Sequence, residues 1–294
     1  MFTSRARHLA ILAAIVAAIC GFAATGSGST TAEVVGSWGW GPSHGVAVSG
    51  AHAFLGSGRM LVVLDISDPS TPTELGSLEL DGVVKDIRIA ANVAFVAAGE
   101  GGLLAVDVSI PDAPVILDRI TTQGSAEGVD LSGGYAFVAA SNAGLRVIDI
   151  STLTDLQEVA SSPVSWSYDV AVADGYAYVA AWINGLYVID VSNPLAPDPR
   201  GICDTPGSAQ GVVVSSTHAY VANGSERTLE VIAIGDPDNP TAVGSVPLSS
   251  SPGDVALSGS LVYLAGDGYD LNVVNVTDPA SPSAVAQHEL VGSG

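Results

Sequence analysis

Basic residues are scarce in this chain: nine Lys and Arg stand against 30 Asp and Glu, and Lys85 is the only lysine. Affinity for nucleic acid comes from Lys and Arg displacing phosphate counterions. A formal charge of −21 therefore excludes DNA and RNA as partners and works against anionic lipid. Cysteine is nearly absent too. Cys20 lies in an N-terminal apolar stretch that reads as a removable leader, which leaves Cys203 with no partner for an internal disulfide. Core burial must supply the stability. Also missing are a 3.6-residue hydrophobic period, a P-loop, a dinucleotide fingerprint, an EF-hand loop and a Cys-His zinc cluster. Helical repeats and the common cofactor folds are excluded on those grounds.

The one long apolar run is Leu9 to Ala24, preceded by Arg5 and Arg7 and followed by the small residues Ala24, Thr25, Gly26 and Ser27. That order is the pattern of a secretory signal. The run is shorter than the roughly 20 residues of a comfortable membrane span. The expectation is a signal peptide over 1–26, a flexible linker over 27–32 and a mature domain over 33–294. Such a protein is secreted, periplasmic or at the cell surface, with no stable membrane span after cleavage. Its acidity fits a solvated, soluble surface. Divalent-cation sites are the other reading, with Ca²⁺ as the ion and Asp86, Asp169 and Asp254 as weak candidates.

What the chain does have is a repeat. Six segments share one pattern: LVVLDISDPSTP from Leu61, LLAVDVSIPDAP from Leu103, LRVIDISTLTDL from Leu145, LYVIDVSNPLAP from Leu186, LEVIAIGDPDNP from Leu229 and LNVVNVTDPASP from Leu271. Their starts are about 42 residues apart, a period that belongs to repeat architectures. Each unit reads as four short strands. In one, Asp169 to Ala173, Tyr176 to Ala181 and Leu186 to Val191 are separated by the turn signals Asp174-Gly175 and Ile183-Asn184-Gly185, and a fourth strand runs to about Ile202. Apolar residues on both faces mark strands covered on both sides. Four antiparallel strands every ~42 residues, apolar on both faces, predict the blades of a β-propeller. The units fall at about 45–80, 86–122, 128–162, 169–203, 211–248 and 254–290.

Two closures fit this pattern. The chain enters through a fourth-strand-like segment, Glu33 to Trp38, and ends on another, Ser283 to Leu290. Either six blades close the ring and one segment is surplus, or a seventh blade is incomplete.

The motifs Leu61 to Asp65, Leu145 to Asp149 and Leu186 to Asp190, with their Asp-Ile/Val-Ser-x-Pro turns, resemble the LVIVD repeat family. The resemblance covers roughly residues 33–294 and implies a surface or secreted propeller, with no common enzymatic activity attached. Ala233 and Asn275 depart from the pattern at the Asp position, and Leu156 replaces the second proline of the third unit.

Candidate chemistry falls into three groups. Asp65, Asp107, Asp149 and Asp190 end the third strands, where each carboxylate is placed to accept N–H groups of its own Ser-x-Pro turn. Gly41 to Gly45 matches the letters G-x-S-x-G but leads into a strand, which is the wrong context for a nucleophile elbow. The third group varies from unit to unit on a fixed framework, and loops on a rigid scaffold are where binding resides. Before the first strands stand His44, Lys85, Glu127, Tyr168, Gln210 and Gly253. In the second-to-third-strand hairpins stand Arg59, Glu100, Asn142, Trp182 with Asn184, Glu226 with Arg227, and Asp267 with Tyr269. Trp182 beside Tyr168 suits a sugar ring or a peptide side chain.

No acid, base and nucleophile are grouped in the sequence, so the leading expectation is a non-enzymatic module that binds protein or glycan outside the cell, without a cofactor. The alternative is an extracellular hydrolase or lyase acting on polysaccharide or peptide with the acids of the channel rim, Asp86, Asp169 and Asp254.

Overall fold

The computed structural model describes residues 43–266 and 270–289. The leader, the linker, the Glu33 to Trp38 segment, Gly41, Pro42, Asp267 and Tyr269 lie outside the described residues. The first blade contains β1 (Ser43–Ser49), β2 (His52–Ser57), β3 (Met60–Asp65) and β4 (Thr73–Glu79). The second contains β5 (Asp86–Ala90), β6 (Val93–Ala97), β7 (Leu103–Asp107) and β8 (Val115–Ile120). The third contains β9 (Gly128–Ser132), β10 (Tyr135–Ala139), β11 (Leu145–Asp149) and β12 (Gln157–Ser162). The fourth contains β13 (Asp169–Ala173), β14 (Tyr176–Ala180), β15 (Leu186–Asp190) and β16 (Asp198–Cys203). The fifth contains β17 (Ala209–Val214), β18 (His218–Asn223), β19 (Thr228–Ala233) and β20 (Thr241–Pro247). The sixth contains β21 (Pro252–Ser258), β22 (Leu261–Gly266), β23 (Asp270–Asn275) and β24 (Ser283–Glu289).

Strand order within every sheet follows the chain. The first strand of each blade lies beside that of the next, from β1 and β5 round to β17 and β21, so first strands line the axis. The result is a six-bladed β-propeller. Among the described residues six complete blades are present, and the Glu33 to Trp38 segment, on which the incomplete seventh blade rests, lies outside them.

Packing between blades explains the two-sided apolar pattern. Phe54, Leu61 and Val63 of the first blade bury against Ile87, Val96 and Leu104 of the second. The same layer recurs as Phe95 and Leu103 on Val129 and Val138, then as Phe137 and Leu145 on Val170 and Val179. Tyr178 and Leu186 meet Val212 and Val221, and Tyr220 and Leu229 meet Val262 and Leu264. A large aromatic ring thus occupies one register of every second strand, and each removes a large apolar area from water.

The outer strands have a different problem, an exposed edge. Each third-to-fourth-strand pair carries a register shift, for example between Val63 and Leu64 and between Val147 and Ile148. Such bulges twist an edge away from further pairing. The fourth strands also receive the next blade's proline turn. A Cβ on Gly201 or Gly244 would collide with that turn, meeting Pro240 Cδ or the Pro279 carbonyl. In the third blade the second proline is Leu156, which retains an N–H. The matching residue of the preceding blade is then an acid, and Asp118 Oδ2 accepts the Leu156 N–H at 2.7 Å.

Candidate functional site

The hairpins between second and third strands and the segments leading into first strands meet on one rim. Trp182 and Ala209 exchange backbone hydrogen bonds of 3.0 and 2.9 Å across two blades, and Gly99–Ala126 and Ser141–Ser167 do the same elsewhere. Lys85, Glu127 and Tyr168 occupy one equivalent position: their N–H groups donate to Ala97, Ala139 and Ala180.

Side chains on this rim differ blade by blade. Lys85 Nζ pairs with Glu127 Oε2 at 3.2 Å, joining the second and third blades. Tyr168 and Trp182 stack with centroids 4.9 Å apart and planes inclined by 30°. Asn184 Nδ2 donates to the Ser165 carbonyl at 3.0 Å, tying the Trp182 hairpin to the loop before β13. Gln210 Nε2 lies 3.5 Å from Ser208 Oγ on the fifth blade, and His44 is half-buried at the corresponding place on the first. Arg227 closes the fifth blade's hairpin with a φ of 55°. Arg59 Nε donates to the Leu80 carbonyl at 3.0 Å.

Trp166 was not singled out in the sequence, and the structure brings it into the same neighbourhood. It sits on the loop held by Asn184, is 44 % exposed and has a φ of 62°. Trp182 has a φ of 49°, where the equivalent hairpin residue of the second blade is Gly99. Left-handed backbone is costly for a bulky side chain and concentrates at functional positions. Ile183, 69 % exposed, completes the patch on the fourth blade.

Directly below this rim the channel is lined with acids. Asp86, Asp169 and Asp254 alternate with Gly45, Gly128 and Gly211 around the axis. The alternation has a steric cause: a Cβ on Gly45 or Gly128 would come within 2.8 Å of the Cα of Asp86 or Asp169. Each carboxylate serves an edge strand whose inward N–H groups need acceptors. Asp86 Oδ1 accepts the Ile87 N–H and Oδ2 the Val129 N–H of the next blade, at 2.8 and 3.0 Å. Asp169 does likewise for Val170 and Val212, both at 2.8 Å. Asp130, also missed by the sequence reading, takes Leu131 and Val172 at 2.9 and 2.7 Å. At Asp254 only Oδ1 is engaged among the described residues, by the Val255 N–H at 2.7 Å.

Among the described residues the cation placed with these acids is Arg88, whose Nη1 meets Asp86 Oδ1 at 2.7 Å and whose Nε lies 3.5 Å from Asp130 Oδ1. Burial works against its charge, but Asp86, Asp130, Asp169 and Asp254 together hold it more strongly protonated than usual. Burial, reinforced by Asp86, pushes the Asp169 carboxyl up to about 8 and that of Asp254 up to about 6. Burial also raises Asp86, against the pull of Arg88. Among the described residues no three His, Cys, Asp or Glu side chains are grouped so as to hold a metal ion. The signal for Asp130 and Arg88 was present in the period-two spacing from Gly128 and Asp86.

On the opposite rim, Asp65, Asp107 and Asp149 accept the N–H of Ser67, Ser109 and Ser151 at 2.8 Å, and Asp190 that of Ser192 at 2.9 Å. Hydrogen bonding from these serines holds all four carboxyls below the usual range, through the hydroxyl first and then the N–H at Asp107, Asp149 and Asp190, and through the N–H first at Asp65. Asn275 keeps the same contact, to the Thr277 N–H at 2.8 Å. Cys203 is buried, which raises its thiol pKa.

Six stretches, 40–79, 81–122, 123–162, 167–205, 206–247 and 251–288, match the LVIVD repeat. The chain belongs to the LVIVD-repeat family. No curated protein matches it. Among solved structures, a protein from Lactobacillus plantarum superimposes with a TM-score of 0.74 at 14% identity, covering 86% of each chain. A functionally unknown protein from Desulfotomaculum acetoxidans gives 0.64 at 17% identity, over 79% of this chain and 78% of that one. The Cps50 (Swd1) β-propeller domain of Myceliophteria thermophila gives 0.62 at 13%, over 77% and 80%. At these identities the LVIVD chain shares their fold alone.

Proposed function

We propose that this LVIVD-repeat chain is an exported, non-enzymatic binding module, working at the cell surface or outside the cell. Its partner docks on the rim of the fourth blade. The carrying observation is the Tyr168–Trp182 stack beside Trp166, which is solvent-exposed despite its left-handed backbone. Exposed aromatic side chains held by strained, hydrogen-bonded loops provide area for binding at little conformational cost. Export is supported by the order of Arg5, Arg7, the apolar run and the small residues after it.

The channel acids speak against the hydrolase reading. Asp86, Asp130 and Asp169 each spend both oxygens on backbone N–H groups of two blades, and Asp254, the one channel acid with an oxygen unengaged among the described residues, has no free carboxylate to work with. What favours that reading is Asp169, raised far enough to hold a proton near neutrality. The deciding experiment screens the mature protein against glycan and peptide arrays, with Trp166→Ala and Trp182→Ala alongside. Binding that both variants lose is expected. Turnover of a polysaccharide or peptide panel, abolished in Asp169→Asn, would replace the binding module with an enzyme. Mass spectrometry of secreted protein beginning near Ser27 checks export.

A further inference from the structure

We infer that the fourth-blade rim takes a cationic partner, an extended Arg- or Lys-rich peptide segment. This rests on the rim being the docking site. Two observations select the charge. The chain has a formal charge of −21, and six of the seven Lys and Arg among the described residues are already paired with carboxylates. Arg59 pairs with Glu79, Lys85 with Glu127, Arg119 with Asp81, Arg146 with Glu158, Arg200 with Asp198 and Asp238, and Arg88 with Asp86 and Asp130. Arg227 is the only Lys or Arg among the described residues with no carboxylate at ion-pair distance. The field outside the molecule is therefore that of its unpaired acids.

The second observation is where the aromatic faces lie. Tyr168 is followed in the chain by Asp169, which lies in the channel with Asp86, Asp130, Asp254 and the guanidinium of Arg88. Asp169 holds a proton near neutrality, so the negative charge there is that of the other three acids, offset in part by Arg88. A guanidinium or ammonium group approaching Trp166 or Trp182 gains attraction from the indole face and from the channel charge beneath it. A neutral sugar gains from the faces only, and an acidic peptide is repelled.

The test titrates the full mature chain with three peptides of equal length, alternating Arg-Gly, Ser-Gly and Glu-Gly, and with a neutral oligosaccharide. Tryptophan fluorescence and calorimetry are the readouts. The Arg-Gly peptide alone is expected to bind. Its affinity should fall about tenfold or more between low and high salt, because exposed charge pairs are screened. Trp166→Ala should weaken it by roughly 3–30-fold, the range expected for losing a cation–π contact. Ile183→Lys, which adds a like charge to an exposed position, should weaken it without touching the fold. A neutral oligosaccharide that binds independently of salt and is lost in Trp166→Ala would overturn the cationic partner and leave the docking rim standing. Arg-Gly binding unchanged in both variants, or no binding by any probe, would overturn the rim and the partner together.

Discussion

The carboxylate of Asp169 on the fourth blade accepts the backbone N–H of Val212 on the fifth at 2.8 Å, while its other oxygen takes Val170 at the same distance. Asp86 to Val129 and Asp130 to Val172 repeat this staple between earlier blades. A propeller's first strands are edge strands facing a narrow channel, and buried backbone donors left without acceptors are costly. Side chains reaching across blades answer that need at the axis, and the crowding of carboxyls around Arg88 is its electrostatic consequence.

Stability should therefore depend on pH from two directions. Asp169 and Asp254 have folded values of about 8 and about 6, raised above the ordinary value near 3.9. A raised carboxyl contributes stability that is complete below pH ~4 and lost as pH climbs through its folded value. The turn caps Asp65, Asp107, Asp149 and Asp190 are depressed, so their contribution is present above pH ~4 and lost as pH falls below it. Urea unfolding across pH 3–9 should show a maximum near pH 4–5. A decline of about 1–3 kcal/mol by pH 8.5 is expected, after allowing for water in the channel. Asp169→Asn should flatten the alkaline side.

Gly128→Ala should destabilise the protein by about 1–3 kcal/mol, since overpacking against backbone cannot be relieved by a rotamer change. The added Cβ would sit 2.8 Å from the Cα of Asp169 and also 2.8 Å from its Oδ1. Thermal unfolding of this variant beside Gly133→Ala measures the effect. Gly133, unlike Gly128, has a positive φ, and the space around it is open, so only backbone strain acts there.

Asn223 is fully buried at the end of β18, and its amide oxygen and nitrogen have no hydrogen-bond partner among the described residues. Ala98, Ala140 and Ala181 occupy the equivalent place in other blades and are buried as well. Asn223→Ala should stabilise the fold by about 1 kcal/mol, by removing unpaired polar atoms at the cost of a small void. Denaturant titration decides it, and a loss of stability would show that the amide anchors an internal water.

The Leu156–Asp118 pair predicts a coupling. Leu156→Pro should destabilise by about 1–2 kcal/mol, because Asp118 loses the N–H it accepts at 2.7 Å. Asp118→Gly combined with Leu156→Pro recreates the glycine–proline contact seen at Gly201 and Pro240. The double variant should recover most of the loss, and a double-mutant cycle reads the coupling directly.

The fold was legible because it is written six times. Leu61, Leu103 and Leu145 start, or nearly start, corresponding third strands, as the period predicts. Blade number was not, because adjacent units look alike in sequence whether five or six neighbours close the ring. The rim candidates Tyr168 and Trp182 stood out as large residues on a framework of small ones. Trp166 did not, since its prominence depends on a left-handed backbone that no residue pattern announces. Asp130 and Arg88 were hidden for another reason. Each occupies its channel position in one blade only, whereas Asp86, Asp169 and Asp254 recur in alternate units.

Among the described residues every sheet is built from four consecutive strands, so no blade there borrows a strand from a distant part of the chain. A gene segment of one period encodes one complete sheet. Unequal recombination between such segments can lengthen or shorten the ring by whole blades without leaving a broken one, and the number of blades becomes a quantity that evolution can count up or down.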